Sequence, residues 1–91
     1  MDKLQPFEDY LRRSGLSKNT ITSYLWAVAD FDTRYESMTE SNLLAYKGYL
    51  MEHYKPKTVN LRIQGINKFL AFMGSPQMQI RAVKVQQKNF L

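Results

Sequence analysis

The sequence predicts an all-α fold, a compact four-helix bundle followed by an extended C-terminal tail. Three observations lead there. Apolar residues recur at spacings of three, four and seven along most of the 91-residue chain. No window before the tail shows the two-residue alternation of a half-buried strand bounded by turns. The four amphipathic stretches are separated by short polar connections, so each must bury its stripe against the others.

The first helix is expected over about 3–13, where Leu4, Phe7, Tyr10 and Leu11 form one stripe. Ser14-Gly15 ends it, with Gly15 suited to the left-handed position just past a helix. The second opens at Ser17 or Asn19, either of which can accept bonds from free first-turn N–H groups. Its inward face reads Ile21, Tyr24, Leu25, Val28, Phe31 and Tyr35. Thr39 caps a third helix with Glu40 in its first turn, and Leu43, Leu44, Tyr46, Leu50, Met51 and Tyr54 are its expected buried side. Gly48 inside this helix is either a modest penalty or a point of close approach. Pro56 suits the first position of a fourth helix, whose stripe is Val59, Ile63, Ile66, Phe69, Leu70 and Met73. Gly74-Ser75-Pro76 stops it. Beyond Gln77 the pattern weakens into what reads as an extended linker. The expected division is a domain over 1–75 and a tail over 76–91.

Composition narrows the function classes. Hydrophobic residues make up 44% and charged residues 23%, a globular balance. No stretch approaches the roughly 20 apolar residues of a membrane span, and the N-terminus has no apolar segment of a secretory signal. The expectation is therefore a cytoplasmic protein without a membrane partner. With no cysteine there is no disulfide framework, thiolate metal site or cysteine nucleophile. His53 is the sole histidine and lies near a helix C-terminus, where it suits the dipole better than a catalytic role. No Gly-rich phosphate loop occurs, and no metal or other cofactor is expected. Tyr10, Tyr24 and Tyr35 read as core residues with a polar tip.

The charge is unevenly placed. All eight acids lie at or before Glu52, where six bases leave a net −2; the seven bases after it meet no acid, a net +7. Such asymmetry attracts polyanions. At about 100° per residue, the outward side of the fourth helix collects Lys57, Asn60, Gln64, Asn67 and Lys68, with Thr58 and Arg62 on one flank. Solvent-facing helices usually mix Glu with Lys, whereas this set holds only residue types that bond phosphates and base edges. Lys55 and Lys57 flank the helix N-terminus, which favours an anion. The second helix repeats the theme with Lys18, Asn19, Thr20 and Ser23, although Ser17 and Asn19 also serve as plain caps. Trp26 lies opposite the expected stripe; it either covers a sugar-phosphate edge, packs on a partner, or joins a core that wraps further round.

Two runs of the sequence resemble a known family. Leu16-Ser17-Lys18-Asn19-Thr20-Ile21, continuing through Tyr24 to Phe31, is similar to the first signature of phage-integrase core-binding domains. Lys57-Thr58-Val59-Asn60-Leu61-Arg62-Ile63, continuing through Phe69-Leu70, is similar to their second. The two occur in family order, with Thr20 and Thr58 38 residues apart, and the likeness spans about 3–75. It implies the SAM-like N-terminal module of a tyrosine recombinase: two crossed helical hairpins forming half of a clamp on duplex DNA. By position it implies DNA contacts from Lys18, Asn19, Thr20, Lys57, Thr58, Asn60 and Arg62. Helical geometry adds Ser23, Lys55, Gln64 and Lys68, and Arg62 lies near enough to the core flank to brace the bundle instead. The family's tyrosine nucleophile and its Arg, Lys and His partners belong to a C-terminal domain not in this sequence. The module is thus expected to be no enzyme itself, with 84–91 leading towards that domain. Its expected partners are duplex DNA, that domain and neighbouring recombinase protomers. The rivals are a helix-turn-helix regulator, a protein-interaction bundle and a free-standing enzyme.

Overall fold

The computed structural model describes residues 3–83. It contains α1 (Leu4–Arg13), α2 (Lys18–Arg34), α3 (Glu40–His53) and α4 (Pro56–Phe72), then a single 3-10 turn at Pro76–Met78. Among the described residues there is no strand, and the fold is an all-α four-helix bundle. No described helix is long and apolar enough to cross a membrane.

The boundaries follow from local chemistry. Ser17 caps α2 by accepting the Thr20 N–H at 3.2 Å, and Thr39 caps α3 by accepting the Asn42 N–H at 3.1 Å. Pro56 occupies the first turn of α4, where its missing N–H has no intrahelical partner to lose. Helix α4 ends where Gly74 turns left-handed (φ 83°): the Ser75 N–H reaches back to the Leu70 carbonyl at 2.8 Å and the Gly74 N–H to that of Ala71 at 3.1 Å. This pairing satisfies carbonyls the helix end would leave open.

Helix α4 is central and touches every other element. Val59, Ile63, Ile66, Phe69 and Leu70 are buried on it, with Phe7 and Leu11 of α1, Ile21, Ala27, Val28 and Phe31 of α2, and Leu43, Tyr46 and Leu50 of α3. Phe7 meets Phe69 edge-on at 5.1 Å. Three residues expected in the core are outside it: Leu44 is 64%, Met51 53% and Met73 44% exposed. Leu44 and Met51 each follow a buried residue by one position, which rotates them about 100° off the stripe; apolar character alone does not mark the inward side.

The expected boundary at residue 75 is corrected. Residues 76–83 pack on the bundle: Ile80 is buried, and Met78 and Val83 lie against the core. Two asparagines of α4 hold this strap. Asn67 accepts the Ile80 N–H at 2.7 Å and donates to the Ile80 carbonyl at 2.8 Å. Asn60 does the same with Val83, at 2.7 and 2.9 Å. The register follows from simple geometry. Seven helical residues rise about 10.5 Å, and three extended residues span about 10 Å, so two helical turns match Ile80 to Val83. The expected linker at 84–91 lies outside the described residues.

Candidate nucleic-acid interface

Each candidate residue takes its place from the helix that carries it. The α2–α4 contact is close, because a Cβ built on the buried Gly65 would lie 2.9 Å from the Tyr24 Cα. That proximity lets the Tyr24 hydroxyl donate to Gln64 Oε1 at 3.3 Å. Gln64 stays exposed, on the stripe Lys57–Leu61–Gln64–Lys68 that repeats at four, three and four. Lys57 is exposed and Lys68 half-buried, its ammonium 5.6 Å from the centre of the Tyr10 ring. Lys55 is exposed at the N-cap of α4, which has no side-chain cap. At the start of α2, Lys18 and Asn19 are exposed, while Thr20 and Ser23 are partly covered. Thr20 Oγ1 accepts from the Ser17 hydroxyl at 2.9 Å, so part of its bonding capacity serves the cap.

Two candidates are displaced from the expected surface. Asn60 spends its amide and its carbonyl on Val83, so it cannot also present both to a base edge. Asn67, read as outward from helical angle, is tied to Ile80 in the same way. Arg62 is drawn towards α2. Its guanidinium carbon lies 3.4 Å from the centre of the Trp26 ring and 5.1 Å from that of Tyr54. Its Nε and Nη1 are buried with no acceptor among the described residues. A cation packed between rings suits bracing, as its position near the core flank allowed. Trp26 does not join the core: its ring packs on Arg62, and 40% of the residue stays exposed. Thr58 is partly covered on the same flank.

The electrostatics separate this surface from the α2–α3 seam. Among the described residues, the ion pairs are Arg12–Glu8 and Arg34–Asp30, both between neighbours on one helix. None of Lys18, Lys55, Lys57 and Lys68 pairs with a described acid. In the seam, Asp30 uses one oxygen for Arg34 at 3.1 Å and the other for the Tyr46 hydroxyl at 2.8 Å. Burial pushes the Tyr46 phenol well above its ordinary range, and the bond to Asp30 and its charge add to this against Arg62 and Arg34. No group of three His, Cys, Asp or Glu side chains suited to a metal occurs among the described residues.

No protein-family model and no curated protein sequence matches the chain.

Proposed function

We propose that this chain is a DNA-binding module, the core-binding part of a site-specific tyrosine recombinase, gripping duplex DNA beside the strand-exchange site during integration or recombination. The observation that carries the reading is the outer stripe of α4. From Lys55 through Lys57 and Gln64 to Lys68 it holds cations without an acid, and none of those cations has an ion-pair partner among the described residues. Lysines left unpaired in this way keep their full attraction for phosphate, and Gln64 adds a polar tip for a groove edge. Lys18 and Asn19, at the N-terminus of α2, supply a second phosphate contact. The two sequence signatures around Thr20 and Thr58 support the family, and the all-α bundle agrees with it. Strand cleavage would belong to a catalytic domain of the parent chain; this module supplies affinity and register.

With Asn60 engaged by the strap and Arg62 by Trp26, the phosphate contacts fall to Lys18, Lys55, Lys57 and Lys68. About four phosphates give a log–log salt slope of roughly −3.6. Anisotropy titration of a labelled duplex should then show affinity falling roughly 150-fold from about 50 to 200 mM salt. Binding that ignores salt, or none at low salt, would contradict the reading. A protein-interaction bundle is the second reading, favoured by the exposure of Trp26, Leu44 and Met51.

A further inference from the structure

Two exposed apolar features of the molecule fit one another. Leu44 and Met51 stand two turns apart on one side of α3 with Lys47 between them, a ridge about 10.5 Å long. Arg81 lies alongside, lining a groove with Leu44 and Lys47. Between α1 and α2 is an open hollow of ≈ 380 Å³, walled by Leu4, Thr22, Leu25, Trp26 and Ala29 with Glu8 on its rim. Thr22 to Ala29 is again seven helical residues, so the hollow is as long as the ridge. The Trp26 wall is fixed from behind by the Arg62 guanidinium. Ridge and hollow share no residue and no helix.

We propose that the chain associates head to tail with a second copy of itself, the α3 ridge of one copy seated in the α1–α2 hollow of the next. The charges match in one direction. Lys47 and Arg81 meet Glu8, while Glu40, one turn before Leu44, meets Arg12, where the hollow continues along the same two helices. Glu8 now pairs with Arg12 on its own helix, and an exposed pair of that kind is readily exchanged for cross-copy partners. A ridge entering a groove of equal length is the ordinary way helices pack. Because each copy offers one of each feature, the contact is heterologous, and a copy joined through its ridge still offers its hollow to a further copy. The association does not depend on the DNA-binding reading.

Sedimentation over a concentration series up to about 1 mM should show the mean mass of the full chain rising steadily. Leu44→Asp destroys the ridge, and Ala29→Arg fills the hollow and repels Lys47; each variant alone should stay monomeric. Thr22→Arg, at an exposed position, serves as a second hollow variant should Ala29→Arg lose its helical circular dichroism. A one-to-one mixture of a ridge variant and a hollow variant should form a dimer and nothing larger, since only one intact ridge–hollow pair remains. Wild-type protein at monomer mass throughout, a single variant that still associates, or a mixture that stays monomeric each overturns the proposal. Duplex titration of Leu44→Asp reads the other proposal separately: its affinity should stay within about two-fold of wild type, because Leu44 is carried on α3 and lines a groove with none of the candidate lysines of α2 and α4.

Discussion

The two flanks of α4 are held by opposite means. Towards α2 the backbones approach so closely that Gly65 has no room for a side chain. Towards the strap, the gap is bridged by two asparagine side chains that bond main chain as a neighbouring strand would. One flank depends on the absence of atoms and the other on their presence. Between the flanks lies the lysine stripe, which owes its direction to both.

The α2 flank should break hardest. Gly65→Val puts branched carbon against the Tyr24 backbone, which cannot yield without moving a helix, and should destabilise by about 3 kcal/mol in thermal or urea melts. On the strap flank, replacing both Asn60 and Asn67 with Ala strips partners from the N–H and carbonyl of Ile80 and Val83. A loss of about 2 kcal/mol is expected, with faster amide exchange at those two residues before any change in the helices. An unchanged exchange rate there would mean that the apolar contacts of Ile80 hold the strap without the amides.

The α2–α3 seam sharpens the comparison, being joined through a carboxylate. Tyr46→Phe removes a buried hydroxyl and takes its bond from one oxygen of Asp30, which should cost about 1 kcal/mol. The pH dependence has a defined sign. The Tyr46 proton is bound more tightly in the folded state than in the unfolded chain, so its contribution is complete below the ordinary tyrosine pKa of about 10 and is lost as pH rises above it. Stability should fall in alkali for wild type and less steeply for Tyr46→Phe. Gly48 gives the smallest effect and the reverse sign. Nothing lies within 4 Å of the position its Cβ would take, so Gly48→Ala should stabilise by roughly 0.5–1 kcal/mol.

The elements were legible in the sequence because their signals are local. Ser17, Thr39, Pro56 and Gly74 mark helix ends through bonds made within a few residues, and the stripes of α1, α2 and α4 follow the helical period. The strap was not legible. An extended segment laid along a helix imposes no period on its own sequence, and an asparagine on an outer helical face reads the same whether it meets a base or the chain's own backbone. The only trace was the pairing of two spacings, Asn60 to Asn67 and Ile80 to Val83, with no acid in either stretch. The displacement of Arg62 had a visible cue in the unexplained Trp26, although nothing local joined a residue of α2 to one of α4 across 36 positions. The exposure of Leu44 and Met51 was illegible for a related reason: α3 is apolar on two sides, and only tertiary packing selects which is buried.

The account rests on the lysines left between the two flanks, and the salt dependence of duplex binding tests it most directly. Compared with wild type, a Lys57→Ala/Lys68→Ala protein of unchanged helicity should have a log–log slope shallower by about 1.8, near 0.9 for each phosphate released. Equal slopes for the two proteins, with binding intact, would show that DNA lies on some other surface and would remove α4 from the interface.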